Sequence, residues 1–394
     1  MQPLKIIIPG SFWDSYLYTG NLYLFLRDGS IQTIDWQALI KELIDDPYYN
    51  LVMEWAFLDS NYLYGELLKS IFEDNEVKDL LIEKFRRAST KEFVVENGFL
   101  SAHGNKLQEN KFPFPHADAT FHYNNIFIGS RSGVHYASCS GSTKYGISTR
   151  IHKTTDIPTH ALAASYKNLA IAAGEDGLFQ IPVNINDYNR KKTIKEFRLS
   201  NNIIDDCQWT FYSIYGSSHL NNGVMASFVK DYDEHQKGIY ERKFSRLIFD
   251  EEIFEHSGYS WGTQDKLYQS APGRVRVVKY TPWQKDSESN FTNLGEIELA
   301  SWKGGVISGD TALFGTVIEC EEAIVVVLSN DKIFTFPGEP VNWRVFPRSK
   351  NYENQLHIVY EDRIEILSFN HDYFVDQYNK KAGTSFINWR KRRF

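Results

Sequence analysis

The sequence predicts an all-β chain built from repeated antiparallel units, interrupted once by helices. Three observations carry this reading. Two stretches superpose without a gap at a spacing of 44 residues: His116-Ala-Asp-Ala-Thr-Phe-His-Tyr-Asn124 running into Asn125-Ile-Phe-Ile-Gly-Ser-Arg-Ser-Gly133, and His160-Ala-Leu-Ala-Ala-Ser-Tyr-Lys-Asn168 running into Leu169-Ala-Ile-Ala-Ala-Gly-Glu-Asp-Gly177. Short runs of alternating apolar residues recur about seven times around turn residues, the period-two pattern of half-buried strands. Between Trp36 and Ala88 the period changes to that of a helix.

In chain order, Leu4 to Ile8 is a strand without an adjacent partner. Asn21 to Asp28 and Ser30 to Trp36 flank Asp28-Gly29, which predicts a hairpin with a type I′ turn, because that pair tolerates positive φ. Later hairpins are expected over 125–137 with Ser132-Gly133 at the turn and 168–183 with Asp176-Gly177. Others are expected over 266–280 with Pro272-Gly273, 322–336 with Asn330-Asp331, and 354–369 with Glu361-Asp362. A weaker pair joins 222–229 to 244–249. In the helical segment, Trp36, Leu39, Ile40, Leu43 and Ile44 share one face, and Pro47 is expected to end that helix. Leu63, Leu67, Leu68, Ile71 and Phe72 make a second face. Val77, Leu80, Leu81 and Phe85 make a third, with Asp74 as its N-cap. Near the end, Asp372 to Lys381 reads as a short helix stopped by Gly383, followed by the basic, aromatic Asn388-Trp-Arg-Lys-Arg-Arg-Phe394.

A period near 44 with strands hinged on glycine turns resembles β-propeller blades, WD40-like in the broad sense. The resemblance covers most of the chain outside residues 36–90 and the tail. Its motifs are loose: the Gly-His and Trp-Asp dipeptides of WD40 blades do not recur, and Trp13-Asp14 occurs once. It implies a closed β-propeller of about seven four-stranded blades, six being the alternative, with a helical insertion. On that reading 1–35 holds the first propeller strands, 36–90 an acidic helical insertion or cap, 91–370 the remaining blades, and 371–394 a short helix and basic tail. Leu4 to Ile8 is then expected to join the last blade, which leaves only short protected edges.

Composition fits a folded chain: 42% hydrophobic, 24% charged and 15% aromatic, the last suited to pleated surfaces. No apolar run reaches the roughly 18 residues of a membrane span, and the three cysteines, Cys139, Cys207 and Cys320, form neither a CxxC pair nor a disulfide framework. A reduced, cytoplasmic setting without membrane contact is the expectation. Net charge is −7, and residues 36–90 hold 11 acidic against 6 basic side chains. No broad basic stripe marks a nucleic-acid binder.

Candidate chemistry is sparse. His116 and His160 occupy equivalent offsets. With Asp118 and His122, which share a strand face, they are the candidate catalytic or metal-binding groups at a channel mouth. Because the position repeats, blade packing is the competing explanation, and no cofactor or metal is assigned. Glu319-Cys320 lacks the second carboxylate setting of a propeller glycosidase. Gly129-Ser-Arg-Ser-Gly133 lies in a hairpin rather than a strand-to-helix elbow. Fold does not fix function. The reading preferred here is a non-enzymatic scaffold that binds a protein partner through a propeller face and the helical insertion, with Glu73, Asp74 and Glu76 and the tail residues Arg390, Lys391, Arg392 and Arg393 as contact candidates. The alternative is a propeller hydrolase or lyase, and a third reading has the basic tail engaging nucleic acid.

Overall fold

The computed structural model describes residues 2–60, 71, 73–105, 112–139, 146–183, 196–220, 222–232, 240–254, 257–283, 290–299, 305–370 and 380–385. The strands run in chain order β1 (Leu4–Pro9), β2 (Phe12–Tyr18), β3 (Asn21–Leu26), β4 (Ile31–Asp35) and β5 (Glu92–Val94). Four sets of four follow. They are β6 (Asp118–His122), β7 (Asn125–Ser130), β8 (Gly133–Ser138), β9 (His152–Thr155); β10 (Ala161–Ser165), β11 (Asn168–Ala172), β12 (Leu178–Pro182), β13 (Phe197–Ser200); β14 (Asp206–Thr210), β15 (Ser213–Ser217), β16 (Val224–Tyr232), β17 (Tyr240–Phe249); and β18 (Ser260–Thr263), β19 (Lys266–Ala271), β20 (Arg274–Tyr280), β21 (Phe291–Glu298). The series ends with β22 (Val306–Ala312), β23 (Gly315–Cys320), β24 (Ala323–Leu328), β25 (Ile333–Pro337), β26 (Asn342–Val345), β27 (Gln355–Val359) and β28 (Arg363–Ser368). They form seven sheets, and the fold is a seven-bladed β-propeller. Five blades have four strands. The sheet β2-β3-β4 has three, and the sheet β26-β27-β28-β1-β5 has five.

The chain divides into two compact units: residues 1–110 with 310–394, and residues 111–309. In the first, β1 pairs antiparallel with β28 from Leu4↔Ser368 to Pro9↔Arg363, as the apolar Leu4–Ile8 run anticipates. Its core gathers Leu4, Ile6 and Ile8 with Ile364 and Ile366, and the helices contribute directly to it. Those helices are α1 (Trp36–Glu42), α2 (Asn50–Phe57), α3 (Asn75–Ala88) and α4 (Asn97–His103). Trp36, Leu39, Ile40, Val52, Met53, Ala56, Phe57, Leu81, Phe85 and Ala88 all enter the same apolar cluster. Helix α1 closes at Leu43, before Pro47. Asp46 instead caps a short 3-10 turn that begins at Pro47, and a carboxylate there is disfavoured at a helix C-terminus. Asp74 caps α3 as expected, accepting from Glu76 N and Val77 N. Leu63, Leu67, Leu68 and Phe72, most of the 372–381 segment, and Arg390 to Arg393 lie outside the described residues.

The end of α2 is secured by buried polar groups. Ala56 O accepts from Asn354 Nδ2 at 3.0 Å and Ser368 Oγ at 2.9 Å. Phe57 O accepts from Trp36 Nε1 at 2.6 Å and Gln355 Nε2 at 2.9 Å. The final carbonyls of a helix have no partner within it, and here side chains of α1, of β27 and β28 and of the loop before β27 supply one. The free side of β4 is covered too: Ile34 bridges Gly104, and Asn105 N donates to Thr33 O. This segment takes the place of a fourth strand.

The second unit consists of four consecutive sheets, β6–β9, β10–β13, β14–β17 and β18–β21, with apolar clusters between neighbours. Its first strands β6, β10, β14 and β18 lie side by side. The 44-residue superposition slips here. Ala117 N donates to Gly129 O, and the matching bond is His160 N to Ala172 O. His160 therefore stands where Ala117 does, and Thr159 where His116 does. The turn of the second hairpin comes one residue sooner, at Tyr166-Lys167 against Tyr123-Asn124, and a one-residue slip sends a side chain to the other face.

Turn chemistry also differs from expectation at Asp28-Gly29. Gly29 N bonds Leu26 O, Leu26 N bonds Ser30 O, and only Gly29 has positive φ, at 83°. This is a three-residue loop with a bulge rather than type I′. Asp331, at φ 63°, fills the glycine position of the same loop between β24 and β25.

Candidate interaction surface on the inner hairpins

The first-to-second strand hairpins of the second unit end in turns that place bulky residues in the left-handed region. Tyr123 (φ 48°) and Asn124 (φ 57°) lie between β6 and β7, Tyr166 (φ 50°) between β10 and β11, Phe211 (φ 55°) between β14 and β15, and Gln264 (φ 55°) between β18 and β19. Left-handed backbone costs a side-chain-bearing residue about 1 kcal/mol or more, which glycine avoids. At three successive tips the chain spends that energy to present an aromatic ring. Tyr123 is 45% exposed and Tyr166 43%. Trp283, 55% exposed, follows β20 at the same end and packs edge-on against Phe211 at 4.8 Å.

Beneath the tips the support is ordered. Trp209 donates from Nε1 to Ala163 O at 2.8 Å and meets the Tyr166 ring edge-on at 6.3 Å. Tyr212 donates its hydroxyl to Pro282 O at 3.0 Å, tethering the segment that carries Trp283. His122 donates from Nε2 to Tyr166 O and lies 4.1 Å from the Tyr123 ring, linking the first two tips. Arg242 on β17 completes this layer. It donates from Nε to Tyr212 O and from Nη1 to Gln180 Oε1, and its guanidinium lies over the rings of Phe228 and Trp209, at 3.2 and 4.6 Å. Burial pulls its pKa down to about 9, with the Tyr166 hydroxyl the one opposing influence.

The four candidate catalytic groups do not assemble into one site. His116, just before β6, is buried beside Phe114. Asp118 opens β6 and His122 closes it, four residues on. At about 3.3 Å per residue their backbones are roughly 13 Å apart. Asp118 acts as a clip between blades, its Oδ2 accepting from Leu162 N at 2.8 Å and its Oδ1 from Ala119 N at 2.7 Å. His160 is 53% exposed, rests over Gly174, and has Nδ1 3.8 Å from Asp205 Oδ1. Among the described residues no three His, Cys, Asp or Glu side chains group as for a metal ion. Glu319 accepts from Trp343 Nε1 at 2.7 Å. In the insertion, Asp74 is committed to its cap, while Glu73 and Glu76 are exposed near Leu80, itself 57% exposed.

One side chain does recur at an equivalent strand position, and it is an aspartate. Asp14, Asp118 and Asp206 each stand four residues before the end of a first strand, and each accepts from the next residue's N–H at 2.7 Å. Asp14 also accepts from Arg344 Nη2 at 2.8 Å. The signal was present as Asp followed by a small residue and an apolar one two further on: Asp14-Ser-Tyr-Leu, Asp118-Ala-Thr-Phe, Asp206-Cys-Gln-Trp. The superposed pair could not reveal it, because with the slip allowed for Asp118 corresponds to Ala161, which has no carboxylate.

No family model matches the chain, and no curated protein matches it. Solved structures do. The β-propeller domain of Cps50 (Swd1) from Myceliophteria thermophila is 9% identical over 64% of this chain and 97% of its own, with a TM-score of 0.40. The Pan2 WD40 domain of Neurospora crassa is 9% identical over 91% of this chain and 89% of its own, TM-score 0.46. PorZ of Porphyromonas gingivalis, a bacterial surface component of the type-IX secretion system, is 10% identical over 99% of this chain and 39% of its own, TM-score 0.44. Among the described residues no helix is long and apolar enough to cross a membrane.

Proposed function

We propose that this chain is a non-enzymatic interaction protein that holds a protein partner on the inner-hairpin tips of residues 111–309. The observation that carries the reading is the run of aromatic residues in left-handed turns, Tyr123, Tyr166 and Phe211, with Trp283 beside them. Exposed aromatic anchors on rigid supports are the residues that dominate binding energy at interfaces. Folding alone would favour Gly or Asn at these positions. The exposed edge of the helical segment, Glu73, Glu76 and Leu80, is a second contact on this reading.

The test compares the native protein with a Tyr123→Asn, Tyr166→Asn, Trp283→Ser variant as bait in extract of the source cells. Asparagine accepts the left-handed turn, so the variant keeps its fold, which circular dichroism and thermal melting confirm. A partner set retained by the native protein and lost by the variant is expected. Identical sets from both overturn the reading.

A further inference from the structure

Arg242 has no acidic counterpart among the described residues. Its Nε and Nη1 bond to neutral acceptors, and its Nη2 is buried with no hydrogen-bond partner. The residue directly across the ladder is another cation, Lys230, whose ammonium lies 5.5 Å from the Tyr212 ring. Like charges facing each other across strands destabilise the pair, and a buried guanidinium without a carboxylate is costly. Lys167, exposed on the tip next to Tyr166, adds positive charge at the same end. A cation held half-dehydrated and under-satisfied thus lies over Trp209, beside the Tyr166 tip.

Resting on the docking reading above, we propose that the partner segment presents an acidic side chain, an Asp or Glu carboxylate, to Arg242, with its apolar neighbours lying on Tyr123, Tyr166 and Trp283. Arginine binds carboxylates through paired N–H groups, and Nη2 is the one such group here left without an acceptor. Because Nη2 is buried, admitting the carboxylate requires side-chain adjustment at the tips, which is common on binding. An acceptor there satisfies a donor that folding leaves unsatisfied, so an acidic segment is preferred over its neutral isostere.

The experiment selects a phage-displayed library of random twelve-residue peptides on the full-length native protein, on Arg242→Met, and on the Tyr123→Asn, Tyr166→Asn, Trp283→Ser variant. Methionine keeps an unbranched apolar chain beside Phe228 and Trp209 and removes the guanidinium that lies over them. Arg242→Lys serves as a second variant if Met lowers the melting temperature, since it keeps the charge without the fork. The native protein should enrich peptides with Asp or Glu at one fixed position beside apolar residues. For a synthetic copy of the best peptide, Glu→Gln should weaken binding at least about tenfold, as expected for a hydrogen bond to a charged group; Arg242→Met should erase that difference and Arg242→Lys should reduce it. Enrichment without an acidic position, or an acidic preference that survives both Arg242 variants, overturns the proposal alone. Equal enrichment on the triple variant, or no enrichment on the native protein, overturns the docking reading with it.

Discussion

At the scale of single residues, the left-handed tyrosines make a measurable trade. Relieving a strained φ returns about 0.5–1 kcal/mol where the new residue suits the turn, and little is lost because both rings are half exposed. Tyr123→Asn and Tyr166→Asn are therefore expected to melt no lower than the native protein, and up to about 1 kcal/mol more stable by urea titration, while partner binding falls. Two buried groups in the first unit set its pH response. His357, hydrogen-bonded through Nδ1 to Ser15 Oγ at 2.9 Å, is held down to about 3 by burial and by the nearby Arg344 cation. Unfolded, it takes up a proton near pH 6.5, so stability declines as pH falls from about 6.5 towards 3. Glu353, with Oε1 buried and unbonded, is pushed up to about 8 by burial, against the pull of Lys380 and Lys350. The unfolded carboxyl ionises near 4.5, so stability declines as pH rises from 4.5 to 8. A stability plateau between about pH 4.5 and 6.5 follows from these two groups. Glu353→Gln should raise the urea midpoint at pH 8 more than at pH 5.5, and His357→Gln should flatten the acid limb; equal shifts at all pH values would contradict both assignments. Neither group was legible beforehand, because burial of one Glu or His depends on which strands meet, not on its own neighbours in sequence.

At the scale of elements, the helical segment shows what pattern reading can reach. The apolar faces of α1 and α3, the Asp74 cap and most hairpins follow from periodicity and turn residues. The carbonyls of Ala56 and Phe57 do not, since Asn354, Gln355 and Ser368 come from about 300 residues away. The aromatic tips were missed for a related reason. Tyr166-Lys167 and Tyr123-Asn124 carry no glycine to announce positive φ, and the repeated aspartate was missed because the one blade superposed on that of Asp118 carries Ala161 in its place. Because α1, α2 and α3 fill the core of the first unit, deleting 36–90 should unfold that unit rather than merely remove a contact, so surface changes are the better probe. Asn354→Leu is expected to cost about 1–3 kcal/mol by leaving polar groups around the α2 terminus unpaired. Glu76→Lys on the exposed side should stay within about 0.5 kcal/mol. Thermal melts of the two variants decide it, and comparable losses would refute the buried-cap role.

At the scale of the molecule, the two units differ in how their sheets are stitched. Residues 111–309 build each sheet from strands consecutive in sequence, whereas the first unit joins β1 to β28. Removing residues 1–9 deletes that six-residue pairing and the core contacts of Leu4, Ile6 and Ile8. Hydrogen exchange should then rise throughout β26–β28 and α1–α3, with protection of β14–β17 unchanged; a uniform rise across the chain would show that the units do not respond separately. The sheet count was readable from spacing and turns, because each hairpin is local. The three-stranded and five-stranded exceptions were not, because β5 leaves its expected place to pair with β1.

The joining of β1 to β28 also sets a timetable for synthesis. A ribosome adding 5–20 residues per second needs roughly 20–70 s to travel from the first of these strands to the last. Throughout that interval β1 lacks its partner, and the carbonyls of Ala56 and Phe57 lack their donors from β27 and β28 and the loop before them. The four sheets of residues 111–309 meet no such delay, and each can close as its own strands emerge. The nascent chain should thus carry a finished middle before its beginning settles, with the early helices and β1 exposed to chaperones for longest.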